Sequence, residues 1–338
     1  MIEKAIHSLL AGNDLTRSDT RGVMHQIMVG EAKPSQIGAF LAAMRMKGET
    51  IDEITACAEI MRDQSVKIHP ETDVLDIVGT GGDELFSFNI STVSAFVVAA
   101  AGVPVAKHGG RSVSSKCGSA DLLEALGVNI NLTAAQSKQV LDKTGICFMH
   151  AQVYHTAMKH VAPIRKELGA RTIFNILGPL ANPAGAAYQL LGVYDENLVE
   201  PLARVLLNLG VKRAMVVHGH DGLDEVSLTG SSTICEVCGT GLNSYFISPE
   251  QFGLNRCMPE DLKGGNAAEN AKIATAILRG ERGPKRDIVL LNAACCIYMS
   301  KNNVTMRECV RMAEQTIDSG AAHKKLDQFI KASAEAVR

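Results

Sequence analysis

Through the first seventy residues, apolar side chains recur three and four positions apart, the spacing of helices packed on one face. Ile2, Ile6, Leu9 and Leu10 form one stripe, closed by Gly12, and the segment from Thr16 to Asp19 opens a second helix. A third begins after Pro34-Ser35 and stops at Gly48, and Thr50-Ile51-Asp52-Glu53 has the capping-box form that starts a fourth near Ile51. Met24, Ile27 and Met28 read as helix packing or a dimer interface. No strand pattern precedes residue 73.

From there the texture changes. Val74-Leu75-Asp76-Ile77-Val78 is a short β-branched run ending in glycines, and further strands are expected at 103–107, 146–150, 190–194 and 214–218, with helices such as 120–126 and 199–209 between them. Short strands near Ile234 and Tyr245 follow, then helices to the end. This alternation predicts an α/β domain. The stretch 161–183, with Pro163, Pro179 and Pro183 around a helical segment, reads as a crossover or hinge returning to the N-terminal helices.

Composition narrows the function classes. At 338 residues, 46% hydrophobic and 21% charged, the chain can bury a large core and divides naturally into two domains. Lys plus Arg (34) nearly balance Asp plus Glu (36), so no broad basic face is available for nucleic acid or anionic lipid, and any anion site must be local. The longest uncharged apolar run, 95–106, is broken by Gly102 and Pro104 and falls short of the roughly 20 residues of a membrane span. The start lacks the order of a secretory or transit segment, which predicts a cytoplasmic location, and nine scattered cysteines fit reduced thiols. Cys235 and Cys238 would point to opposite faces of a strand, which argues against a shared zinc ion.

Three loops carry candidate chemistry. In Gly79-Thr80-Gly81-Gly82-Asp83, followed by Asn89, Ser91 and Thr92 at the start of an apolar helix, glycines let backbone amides approach an anion beside a positive helix end. A tight strand-to-helix turn with an Asn/Ser cap would account for the glycines alone. A dinucleotide fingerprint needs glycine at position 84, where Glu84 stands, so a Rossmann dehydrogenase is disfavoured. The second loop, from Lys107 to Asp121, gathers Lys107, Arg111, Lys116 and four serines and suits a phosphorylated sugar, with Ser119 placed to cap a helix from Ala120. In the third, Asp224 and Glu225 are adjacent carboxylates in a turn and suit Mg²⁺, although acidic turns are common.

Together with 157–183, which includes Arg165 and Arg171-Thr172-Ile173-Phe174-Asn175, these loops closely resemble in order and spacing the motif series of the anthranilate phosphoribosyltransferases. The resemblance spans essentially the whole chain. It implies a small all-helical N-terminal domain beside an α/β domain with a central, mostly parallel sheet flanked by helices, as in the nucleoside phosphorylase/phosphoribosyltransferase superfamily. The expected division is 1–70, completed by a crossover near 163–185, against 73–160 and 186–338, with a homodimer formed through the helical part. The implied reaction displaces pyrophosphate from phosphoribosyl pyrophosphate with the amine of anthranilate, a step of tryptophan synthesis.

Carried onto this chain, the resemblance assigns Gly79, Gly82, Asp83, Ser87, Asn89, Ile90, Ser91, Thr92, Lys107, Ser115 and Ser119 to phosphoribosyl pyrophosphate. It gives Gly79, Gly110 and Arg165 to anthranilate, and Ser91, Asp224 and Glu225 to two Mg²⁺ ions. His108 can orient the amine or relay its proton, but no obligatory general base is assigned, and His155 lines the acceptor channel. One position departs: the family reads Lys-His-Gly-Asn-Arg where this chain has Gly110 before Arg111, which removes an amide beside the acceptor. Gly110 keeps two rivals open, a pyrimidine nucleoside phosphorylase-like enzyme and a donor-binding homologue with an altered acceptor.

Overall fold

In the computed structural model, residues 1–112 and 116–337 are described. Four helices come first: α1 (Ile2–Leu10), α2 (Arg17–Met28), α3 (Pro34–Lys47) and α4 (Ile51–Asp63). Their starts follow from local chemistry. Thr16 accepts from the Asp19 amide, Pro34 occupies a first helical position, and Thr50 and Glu53 close a reciprocal capping box. Met24, Ile27 and Met28 are buried in the helical core.

The α/β part follows as β1 (Leu75–Gly79), α5 (Ile90–Ala100), β2 (Val105–Gly109), α6 (Ser119–Ala125), α7 (Ala134–Thr144) and β3 (Ile146–His150). Then come α8 (Ala151–Tyr154), α9 (Ala162–Leu168), α10 (Phe174–Leu180), β4 (Tyr188–Gly192), α11 (Val199–Asn208) and β5 (Arg213–Gly219). A hairpin, β6 (Ser232–Cys238) and β7 (Gly241–Ile247), precedes α12 (Ala267–Leu278), α13 (Pro284–Ser300), α14 (Met306–Asp318) and α15 (Ala321–Glu335). The strands near Ile234 and Tyr245 are thus longer than expected, because each pairs along its whole length.

The seven strands form one sheet in the order β3-β2-β1-β4-β5-β6-β7, parallel from β3 to β5 and antiparallel at β6 and β7. The chain runs outward from β1 in both directions, so the β1–β4 boundary is the point where ligands bind in such sheets, beyond the carboxyl ends of the strands. On one face α5 and α13 to α15 pack over β1, β2 and β5; on the other, Ile164, Phe174 and Leu177 of α9 and α10 share a core with α1 to α4. No helix among the described residues is long and apolar enough to cross a membrane.

Candidate active site

β1 ends at Gly79 and β4 at Gly192, side by side in register. A Cβ on Gly79 would collide with Asp224 Oδ2, and one on Gly192 would collide with the Asp224 carbonyl oxygen. Two missing side chains therefore seat the acidic turn directly on the strand ends. Asp221 spends its carboxylate inside that turn, accepting from Ser227 Oγ at 2.7 Å and from the Leu223 amide at 3.2 Å. Asp224 and Glu225 face the site instead. Asp224 Oδ2 accepts from the Gly81 amide at 2.6 Å, and Glu225 Oε1 accepts from the Ser91 amide at 3.1 Å, at the first turn of α5. Gly81 and Gly82 have φ of 66° and 79°, the left-handed region that glycine enters without strain, and this turns the loop amides inward.

The electrostatics suit a cation. Burial, reinforced by Asp83 and Glu225, raises Asp224 well above the usual carboxylate range; burial also raises Glu225 to about 7 against the pull of Lys107, and raises Asp83. Three close carboxylates that resist sharing negative charge, all hard oxygen donors, fit a divalent cation. Among the described residues no three His, Cys, Asp or Glu side chains are grouped to hold a metal alone, so an ion here would take further oxygens from a phosphorylated ligand and water.

The second loop joins the first through side chains. Asn89 donates from Nδ2 to the Cys117 carbonyl at 3.0 Å, and Thr92 Oγ1 donates to Ser119 Oγ at 3.1 Å. Ser119 is therefore not the helix cap: α6 starts at Ser119 itself, with Gly118 in the cap position and the Asp121 carboxylate accepting the Gly118 amide at 2.9 Å. Nor does Arg111 face the anion loop, because Asp121 and Glu124 hold it at 2.8 and 2.7 Å. Lys107 is 3% exposed, and its ammonium donates to the Ile77 carbonyl and, at 3.4 Å, to Ser91 Oγ, so it reaches the site only beside Ser91. Ile90 is buried, leaving its backbone as the part able to meet a ligand. Ser87 bridges to Lys263 and lines a cleft of about 270 Å³ with Lys116 and Asn270. Ser115 lies outside the described residues.

Near the end of β2, His108 is buried with its ring centroid 4.9 Å from that of His155. Burial lowers both, His155 to about 4 and His108 well below the ordinary value with the help of His155, so both imidazoles stay neutral near pH 7. Among the described residues His108 Nε2 has no hydrogen-bond partner, while the ring is near the Gly178 backbone. Arg165 is half-buried, with its guanidinium 5.6 Å from the Phe174 ring centroid, and burial lowers it with no carboxylate opposing the shift. Among the described residues a Cβ at Gly110 would meet Ala151 Cβ, at an ordinary 3.8 Å.

Several residues escaped the sequence reading. Arg171 donates to the Gly82 carbonyl at 2.7 Å while its guanidinium lies 4.1 Å over the Tyr194 ring, tying the crossover to the glycine loop. Asn270 donates to Asn89 Oδ1 at 3.0 Å, and Gly192 seats Asp224. Gly192 fell inside the expected strand 190–194, where a lone glycine marks a close backbone approach and was the visible signal. Arg171 and Asn270 act across 89 and 181 positions, respectively, and carried no local signal of that role.

Comparison with known proteins fits this geometry. Residues 3–65 match the helical bundle domain of a glycosyl transferase family, and residues 71–323 match the a/b domain of the same family. The anthranilate phosphoribosyltransferase of Ruminiclostridium cellulolyticum is 68% identical over 98% of both chains. The crystal structure of the Thermus thermophilus anthranilate phosphoribosyltransferase superposes with a TM-score of 0.93 at 41% identity, over 98% of this chain and 99% of that one. The Saccharomyces cerevisiae enzyme in complex with PRPP and Mg gives 0.91 at 28% identity, over 99% and 98%. With the match running the length of both parts, the chain belongs to the anthranilate phosphoribosyltransferase family.

Proposed function

We propose that this chain transfers the phosphoribosyl group of phosphoribosyl pyrophosphate to the amine of anthranilate, releasing pyrophosphate and N-(5-phosphoribosyl)anthranilate, a step of tryptophan synthesis. The observation that carries the reading is the junction of Asp224 and Glu225 with the Gly81 and Ser91 amides, where a metal-binding edge and an anion cradle meet. Gly79, Gly82, Asp83, Asn89, Ser91 and Thr92 hold the pyrophosphate and ribose, Ile90 through its backbone, with Ser87, Lys107, Ser115 and Ser119 completing the phosphate contacts. Asp224, Glu225 and Ser91 hold Mg²⁺, as two ions with the donor. When bound, Mg²⁺ neutralises charge on the departing pyrophosphate.

The remaining work is positioning. An arylamine needs no deprotonation before it attacks, so the chain gains most by aligning it with C1 and excluding water. Arg165 meets the acceptor carboxylate through a planar guanidinium, while the backbones of Gly79 and Gly110 border the ring. His108, neutral and with Nε2 unpartnered among the described residues, accepts or relays the proton the amine sheds after attack.

The chain divides functionally into 1–70 with 163–185, and 73–160 with 186–338; the core that Ile164, Phe174 and Leu177 share with α1 to α4 supports this. A homodimer through the helical part would cover Leu10 (67% exposed) and Met46 (86%). We place the enzyme in the cytoplasm. Pyrophosphate release from phosphoribosyl pyrophosphate that requires both Mg²⁺ and anthranilate tests the function; phosphorolysis of thymidine or uridine without Mg²⁺ would replace it with the nucleoside phosphorylase reading.

A further inference from the structure

β1 keeps register with β4 from Leu75↔Tyr188 to Gly79↔Gly192, and β2 with β3 from Val105↔Ile146 to Gly109↔His150. Between β1 and β2 the described residues pair in register at Leu75↔Val105, and the backbone ladder is interrupted beyond it toward the site. Side chains take over the backbone groups that a continuous ladder would have paired. Asp76 Oδ1 accepts from the His108 amide at 3.1 Å, and the Lys107 ammonium donates to the Ile77 carbonyl. The exchange is reciprocal: each strand lends the other one side chain.

Asp76 is an expensive choice for this position. It is completely buried in the sheet beside Asn182, its Oδ2 has no well-formed hydrogen bond among the described residues, and the opposite charges acting on it are those of Lys107 and Arg62. A buried carboxylate with an unsatisfied oxygen destabilises a core that an apolar residue would stabilise. What it does accomplish is to hold the His108 amide, next in the chain to the Lys107 whose ammonium reaches Ser91. We propose that Asp76 is a positioning residue for transfer, holding the His108 to Gly110 backbone for the acceptor through Oδ1 and the Lys107 ammonium for the donor through its charge. This rests on the transferase reading above.

The test compares Asp76→Asn and Asp76→Ala in the full chain by KM for each substrate, kcat, calorimetric binding of phosphoribosyl pyrophosphate with Mg²⁺, and thermal midpoint. Asp76→Ala removes both functions, and the KM values for both substrates rise about tenfold, the usual consequence of losing one buried hydrogen bond. Asp76→Asn keeps an oxygen for the His108 amide but loses the charge beside Lys107. Its anthranilate KM stays within about twofold of the wild type while donor affinity falls several-fold. The proposal is overturned if Asp76→Ala lowers only the thermal midpoint with both KM values unchanged, or if Asp76→Asn loses anthranilate and donor affinity together. Should Asp76→Ala fail to fold, the split in Asp76→Asn alone decides. A wild-type chain that releases no pyrophosphate would refute the transferase reading instead, and the calorimetric comparison of donor affinity would still decide the role of Asp76.

Discussion

Gly192 contributes no side chain, and the Asp224 carbonyl occupies the place a Cβ would take. Gly192→Ala should therefore push the acidic turn off the strand ends and destabilise the fold by about 1–3 kcal/mol, the usual cost of overpacking, read as a lower denaturant midpoint. Asp224→Ala removes the carboxylate that spans the Gly81 amide and the cation edge. Its Mg²⁺ dependence should shift to roughly 10- to 100-fold higher concentration, while the thermal midpoint without Mg²⁺ holds or rises because a buried repulsion is relieved. Gly110 is the opposite case, since among the described residues a Cβ there meets Ala151 at an ordinary 3.8 Å. Gly110→Asn should fold normally and lower the anthranilate KM, by up to about tenfold if its amide gains one hydrogen bond, with the donor KM unchanged.

Among the elements, those with chemical punctuation were readable in advance. Thr16, Pro34 and Thr50 start helices where their capping chemistry places them, and the β-branched runs before Gly79 and Gly109 became strands to within two residues. Residues with distant partners were less legible. Ser119 has the composition of a cap but its hydroxyl accepts from Thr92 of a separate helix, and Arg111 is drawn away by Asp121 and Glu124. Asp76 looked like one more residue of an apolar strand, because the interruption of the β1–β2 ladder is a property of two segments about thirty positions apart. The buried His108–His155 pair gives this part of the sheet a pH signature. Folded His155 titrates at about 4 and the unfolded side chain near 6.5, so between those values the unfolded chain binds more protons. Stability should then fall as the pH drops from about 6.5 toward 4, with His155 accounting for about 3 kcal/mol. Asp76, raised to about 6, works in the opposite direction over roughly pH 6 to 4, since there the folded chain holds the extra proton. Urea unfolding at pH 7 and pH 4.5 should show a smaller loss for His155→Gln than for the wild type.

At the scale of the molecule, the crossover carrying α9 and α10 packs Ile164 and Phe174 into the core of the N-terminal helices, while Arg171 grips the glycine loop at Gly82. The crossover thus touches the glycine loop through the Arg171 guanidinium, and the proposed transfer would place the acceptor near Arg165 and Gly110. The two-part organisation was visible in the change of periodicity at residue 73, whereas the grip of Arg171 on Gly82 needed the folded chain. If the helical part pairs with a second copy, Met46→Lys should convert the dimer to a monomer in sedimentation without altering the stability of the isolated chain by more than about 0.5 kcal/mol, since Met46 is exposed. The most direct measurement is pyrophosphate release from phosphoribosyl pyrophosphate, followed together with the loss of anthranilate fluorescence, in Mg²⁺ and in EDTA. One pyrophosphate released per anthranilate consumed, abolished by EDTA and by the Asp224→Ala, Glu225→Ala double variant, is the predicted result; anthranilate consumption that continues in EDTA or in that variant would contradict it.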